Sequence, residues 1–383
     1  MTVLRTRTQR LWRISLLTLM FAASQSGAAV LPEDRIDLLY HSFDGGGADI
    51  SGPSVLVRKG FADKLSVTAN YYVDMVSSAS IDVQATASPY REERTEMSLG
   101  VEYLNDKTVV AMSATQSEEN DYDARTMGLS LSQSFFGDLT TVSMSASVGQ
   151  DTVRRNGDDG FEDQVDRKRF GVSLSQIITG DLIIAANAEL VTDEGYLNNP
   201  YRSVRFADPA AGSGFAWQGE VYPRTRNSDA VSVRGIYYLP WRASFRTEYR
   251  FFSDSWDIRA HNLEIRYVHP VDDALTFEFS ARRYQQTAAS FYQDLFPYRD
   301  AQTFMARDKE LSAFNSSSLG FGASWELPRF WQAVDRSTIN IFYDRMQFRY
   351  DNFRDATAGG AAGSEPAYGF DASVLRVFLS VWY

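Results

Sequence analysis

Cysteine is absent from the 383 residues. That excludes disulfides, thiolate metal centres, a cysteine nucleophile, a lipidated N-terminal cysteine and covalent c-type haem attachment. Histidine is scarce, with three copies, His41, His261 and His269. None sits in a nucleophile motif, so no Ser/His/Asp set can be assembled; a hydrolase would have to draw its base from His41 or His261. Their placement along the chain argues against a shared metal site, and no enzyme activity, metal or cofactor is expected. No run of about 18 apolar residues follows the N-terminus, which excludes a transmembrane helix. Positive charge is in deficit, 38 Lys and Arg against 49 Asp and Glu, a balance unsuited to nucleic acid.

The N-terminus reads as a secretory signal peptide over residues 1–29. Arg5, Arg7, Arg10 and Arg13 precede an apolar core, Ile14 to Ala23, and small residues follow, Ser26 to Ala29. Its removal takes four of the basic residues and no acid, so the expected mature chain, 30–383, is more acidic than the formal net charge of −11. That chain reads as one domain.

What is abundant is aromatic: 14% of the residues are Phe, Trp or Tyr. Segments of about ten residues alternate apolar and polar side chains. Met97, Leu99, Val101 and Tyr103 alternate with Ser98, Gly100 and Glu102, and Val142, Met144, Ala146 and Val148 with Ser143, Ser145 and Ser147. A period of two is that of strands, not helices. Tight turns near Asp63, Asp106, Gly137, Gly180, Pro240, Asp272 and Pro328 alternate with connections near 44–52, 76–92, 118–124, 151–166, 192–229, 253–257, 285–312 and 350–371. This asymmetry, with the aromatic content, predicts an all-β transmembrane antiparallel β-barrel of about sixteen strands with both termini periplasmic.

The last strand supports that reading. Leu375, Val377, Leu379, Val381 and Tyr383 share one face and Arg376 and Ser380 the other. A closing strand of a barrel has this form, and its terminal aromatic is an expected signal for the barrel assembly machinery. A charge facing lipid costs about 2–4 kcal/mol at the midplane, so charges that alternate with apolar residues are placed in the lumen. Arg234, Arg246, Glu248, Arg250, Glu264, Arg266, Glu278 and Arg282 are the candidates. They serve either as a wall that selects solutes or as a lattice of cross-strand ion pairs. The acid-dense stretch Asp158 to Asp163 is read as a solvated loop in preference to a calcium site. The connection 192–229 either folds inward and narrows the pore or stands outward in solvent.

Six segments carry a resemblance spread over most of the chain: Asp34-Arg35-Ile36-Asp37 with Tyr40; Gly52 to Lys59; Gly195-Tyr196-Leu197-Asn198-Asn199-Pro200-Tyr201-Arg202; Pro223-Arg224-Thr225-Arg226; Tyr237 to Arg242; and Met305 to Ser312. The chain resembles the domain-of-unknown-function 3570 family of Gram-negative bacteria. The resemblance implies a secreted, barrel-like protein and, from its genomic neighbours, a small lipoprotein, a thioredoxin-like protein and a flavin-attaching transferase. Two of the segments fall in long connections, which makes Asn198, Asn199, Tyr201, Arg202, Arg224, Arg226 and Arg307 loop ligand candidates. Arginine's planar fork suits carboxylate or phosphate; pairing with lumen acids such as Glu248, Glu264 and Glu278 is the alternative.

The expected function is therefore a pore or transport-type channel in the cell outer membrane for an unidentified solute. The alternative is a non-transporting sleeve or accessory for an envelope lipoprotein or redox system. Expected partners are outer-membrane lipid and lipopolysaccharide, the barrel assembly machinery and a small periplasmic lipoprotein.

Overall fold

The structure is a computed structural model that describes residues 30–78, 90–329 and 331–383, with backbone alone for 77–78 and 90–92. The expected signal peptide lies outside the described residues. The chain runs as an antiparallel meander: β1 (Arg35–Gly45), β2 (Ala48–Phe61), β3 (Leu65–Ser78), β4 (Tyr90–Asn105), β5 (Thr108–Glu118), β6 (Tyr122–Phe135), β7 (Thr140–Arg155), β8 (Asp158–Thr179) and β9 (Leu182–Gly195). A short ribbon, β10 (Ser203–Ala207) and β11 (Phe215–Gly219), interrupts it. The meander resumes with β12 (Thr225–Tyr238), β13 (Ser244–Asp254), β14 (Arg259–Pro270), β15 (Leu275–Gln286), β16 (Phe314–Glu326), β17 (Arg336–Arg354) and β18 (Ala367–Trp382). β18 returns to β1, with Arg35 opposite Trp382 and Gly45 opposite Ala372. The sixteen long strands thus form a closed barrel, and the edges that would leave backbone groups unpaired in lipid are removed.

Strand pleating sorts the side chains. Leu38, Met97, Leu129, Val172, Leu263, Phe279, Leu319 and Leu375 are exposed large hydrophobics, and all point outward. The residues between them point into the lumen. The outward apolar band ends towards the loops in a polar row that includes Gln116, Arg125, Gln150, Arg283 and Arg345.

Both termini lie at the end of the barrel that carries most of the tight turns. Ala62, Asp63 and Asp106 adopt left-handed backbone there, as does Gly137 with φ near +67°. At the other end three expected loops contract. Gly46 and Gly47 take φ of +60° and +77°, the pair of positive values a two-residue hairpin turn demands, so 44–52 is hairpin. Residues 118–124 reduce to 119–121, and 151–166 to 156–157, because β7 and β8 stay paired as far as Arg154 opposite Glu162. At these strand tips the pattern reverses, with Tyr122, Val153 and Val165 buried inward and Thr152, Arg154, Glu162 and Gln164 outward, so the alternation that reveals a strand inside the membrane disappears. Conversely, the turn expected at Pro328 widens, with β16 ending at Glu326 and β17 starting at Arg336.

Candidate functional site: a capped lumen

One side of the lumen is lined by paired charges. Arg234, Glu248, Glu264 and Arg282 occupy one cross-strand row, and Arg246 lies opposite Arg266 in the next. Arg234 donates to Glu248 at 2.5 Å and Arg246 to the same carboxylate at 3.2 Å. Arg266 bridges Glu264 at 3.0 Å and Glu278 at 2.7 Å. Arg250 reaches Glu189 at 3.4 Å, and Arg282 donates to the Asn262 side chain. All eight predicted lumen charges thus lie on the inner face of β12 to β15. A further pair, Arg376 and Asp344 at 2.7 Å, extends the lattice to β17 and β18. Gly320 makes room for it: a Cβ there would stand 2.2 Å from the Asp344 carboxylate and 2.3 Å from the Ser280 hydroxyl.

The facing wall differs. On β5 to β8 the inward positions are small and hydroxylic, among them Ser113, Thr115, Ser130, Ser143, Ser145, Ser147, Ser173 and Ser175. Ser143 donates to Ser132 at 2.9 Å. The small side chains leave room for water: Arg169, an inward residue of β8, keeps 53% of its side chain exposed. The lumen is polar and wet at mid-height, one wall a lattice of paired charges and the other mainly small hydroxylic side chains with a few charges, Arg167, Asp151 and Arg169, among them.

The end opposite the termini is covered. Residues 196–224, 255–258 and 287–313 fold over the mouth and pack on inward aromatic residues. Tyr222, Trp256, Ile258, Phe291, Tyr292 and Leu311 form one buried cluster with Tyr350 and Phe353, and Phe252, Phe314, Phe348, Tyr368 and Phe370 flank it. Trp256 meets Tyr222 and Phe291 edge-on at 5.6 and 5.2 Å. A second cluster joins Tyr196 and Leu197 to Tyr122, Val153, Val165 and Phe161 on the other side. The connection expected either to fold inward or to stand outward therefore folds onto the mouth, from β6–β8 across to β16–β18.

Buried ion pairs fix the cap. Arg205 has no exposed surface and holds Glu365 through two donors, at 2.5 and 3.0 Å, and Asp294 through a third contact. Asp294 also accepts from the Arg307 side chain at 3.1 Å and from the backbone N–H of Arg354 at 3.1 Å, so one carboxylate ties two cap segments to the end of β17. Glu365 is buried, yet Arg205 holds its carboxyl below the usual range against the opposing cost of burial. Glu220 behaves in the opposite way. Burial, reinforced by the Asp308 carboxylate, pushes its pKa up to about 7, although Arg202, the Tyr222 hydroxyl at 2.6 Å and the Arg307 backbone N–H at 2.7 Å counteract it.

The loop candidates all sit in or beside this cap. Asn198 donates to the Glu220 carbonyl at 2.7 Å and accepts from the Tyr222 N–H. Asn199 accepts from the Tyr201 N–H, and the Tyr201 hydroxyl donates to Asp121. Arg202 pairs with Asp308, Arg224 with Asp163 at 2.9 Å, Arg226 with Asp254 at 2.5 Å and Arg307 with Asp294 at 3.0 Å. These carboxylates belong to the cap and the strand tips; they are not Glu248, Glu264 or Glu278. Arg205, Asp294, Glu220 and Glu365 escaped sequence reading because their partners are as much as 160 residues away. The buried Phe-Ala stretch of β10 around Arg205 was the available signal.

His41 lies inside, its Nε2 2.7 Å from Asp74 and its ring stacked on Tyr72. His261 and His269 lie on the outer face beside Tyr249 and Tyr267. Among the described residues no cluster of three or more His, Asp or Glu has the geometry of a metal site. Asp158, Glu162 and Asp163 belong to β8 and pair with Arg155, Arg154 and Arg224.

Several solved structures align with this chain. A bacterial polysaccharide outer membrane secretin aligns over 92% of this chain and 100% of its own, at 9% identity and a TM-score of 0.50. CdiB from Acinetobacter baumannii aligns over 91% of this chain and 60% of its own, at 8% identity and 0.47. The outer membrane protein opdK from Pseudomonas aeruginosa aligns over 92% and 99%, at 10% identity and 0.45. The likeness to the secretin, at 9% identity, is one of fold alone. No curated protein matches the sequence. Residues 80–339, most of the barrel with its charged wall and its three cap segments, match the family described as protein of unknown function DUF3570, and the chain belongs to that family.

Proposed function

We propose that the mature chain is an outer-membrane channel with both termini periplasmic, which passes a small hydrophilic solute through a lumen gated by its cap. The observation that carries this reading is the combination of a wet, polar lumen with a mouth closed by an ordered, ion-paired cap. A barrel built only as a structural ring has no need of solvated arginines along a serine-lined wall. Paired arginines and carboxylates suit a solute with both charges, because each end meets an opposite charge without leaving the wall unpaired. Closure by loops, not by a separate plug domain, implies that the cap shifts during passage. No chemical step is assigned to the barrel.

The covered mouth favours one rival, a non-transporting sleeve that binds a periplasmic lipoprotein. Osmotic swelling of proteoliposomes separates the two. Swelling in zwitterionic amino acids, increased when residues 198–222 are replaced by a short Gly-Ser linker, supports the channel. Absence of swelling in both forms, with a lipoprotein retained through mild detergent extraction, supports the sleeve.

A further inference from the structure

The outer wall is dented. A groove of about 860 Å³ crosses its lipid-facing surface from β2 to β8, within the size range of small-molecule sites, about 300–1,000 Å³. Its lining forms two cross-strand rows. The row nearer the tight turns is apolar: Val57, Ala69, Leu99, Ala114, Met127 and Val148. The row nearer the cap begins apolar with Val55, Tyr71 and Met97 and becomes polar with Gln116, Arg125, Gln150 and Asp166. Ala69 and Ala114 supply the depth, because no long side chain fills the middle of the wall.

Two observations concern the occupant. First, Arg125 and Lys168 are outward-facing cations for which no ion pair or side-chain hydrogen bond exists among the described residues. Nearly every other arginine of the barrel has such a partner. Gln116 instead turns to Glu118 at 2.6 Å, and Gln150 to Asp166 at 3.4 Å, which leaves Arg125 between them with its guanidinium uncommitted. Lys168 stands one row lower, beside Val148. Second, the surrounding face is soft. Met75, Met97, Met112, Met127 and Met144, five of the nine methionines, occupy one position on each of β3 to β7, and each is at least half exposed. The opposite wall presents Tyr249, Phe279, Phe321 and Tyr343 instead. Methionine is unbranched and adapts to irregular apolar partners.

The geometry points to a lipid site on this face: lipopolysaccharide bound through a lipid A phosphate at Arg125 and Lys168, with an acyl chain along the apolar row. The inference rests on the outer-membrane reading, which puts the cap end in the outer leaflet. The groove lies at the cap-side boundary of the apolar band, where a lipid changes from chain to headgroup. Arginine is the side chain suited to phosphate oxygens, and an uncommitted cation at a lipid boundary gains by neutralising an anionic headgroup. The carboxylates of Asp166 and Glu118 flank the site and restrict the phosphate to the Arg125–Lys168 side. A second copy fits less well, because two concave faces leave a void between them.

Native mass spectrometry of the full chain extracted from outer membranes tests this site. Wild type is expected to retain lipopolysaccharide and to bind added lipopolysaccharide at least about tenfold more tightly than the Arg125→Ala/Lys168→Ala double variant. Binding of a zwitterionic phospholipid should be equal in the two. Arg283→Ala, on the opposite wall, is the control and should match wild type. Ala114→Phe fills the groove with both cations intact and should also reduce retention, which keeps the test available if the double variant does not fold. Equal lipopolysaccharide retention by wild type and both groove variants overturns the inference, as does a dimer that dissociates with the same substitutions. A chain that fractionates away from the outer membrane overturns the underlying reading instead.

Discussion

Arg205 is the clearest single-residue test of the cap. Its guanidinium is fully buried between Glu365 and Asp294, so removing it leaves the buried Glu365 carboxylate without its cation, while Asp294 keeps Arg307. Breaking a buried pair in this way costs about 3–5 kcal/mol. Arg205→Ala is therefore expected to release the cap while the barrel stays folded, seen as rapid proteolysis within 196–224 and an unchanged heat-modifiable band on gels. Resistance equal to wild type would show that the apolar cluster alone holds the cap. Glu220 provides the complementary test. Its folded pKa stands near 7, above the usual carboxylate value, so in the window between those values the closed cap holds a proton that the open cap lacks. Closure is then favoured at low pH and weakens as pH rises to about 7, with little change above. Hydrogen exchange over 196–224, corrected for intrinsic rates, should accelerate from about pH 5 to about pH 8, and Glu220→Gln should remove that dependence. A flat profile in wild type would contradict it. Neither residue was legible in the sequence: each is a single charge in a long connection, and its meaning lies in partners that only the closed barrel brings near.

At the scale of the strand, sequence and structure agree wherever one face meets lipid and the other the lumen. The alternation of β12 to β15 with Phe245, Tyr249, Leu263, Ile265, Phe277 and Phe279 put all eight charges on the inner face without any knowledge of pairing. It did not show that Arg234 and Glu248 would share a row, because register depends on turn lengths that hydropathy does not report. It also failed at the strand tips, where the outer face turns polar and the inner face packs Val153 and Val165 against the cap, so the pattern that marks β7 and β8 reverses. The face assignment predicts a difference between neighbours. Leu129→Arg puts a cation into the lipid-facing band and should cost about 2–4 kcal/mol near the midplane, whereas Ser130→Arg, one residue away and inward, should cost far less. Urea-induced unfolding in lipid vesicles measures both, and equal losses would mean that the faces are misassigned.

For the whole molecule, closure of β18 on β1 converts a set of marginal strands into one body, and the composition already reflected it: no transmembrane helix, abundant aromatics and a last strand with two distinct faces. What composition did not show is the asymmetry of that body. One wall is a lattice of paired charges, the facing wall is mainly serine, threonine and other small residues, and a cap bridges the two at one end. The outer surface is divided in the same way, methionine on one side and aromatic on the other. Cap and lumen together make the central claim, a channel closed by its own loops, and planar-bilayer conductance tests it most directly. Wild type is expected to open rarely, and a folded variant with residues 198–222 replaced by a short Gly-Ser linker to hold a steady open conductance. A capless barrel that is folded, inserted and electrically silent would contradict the account.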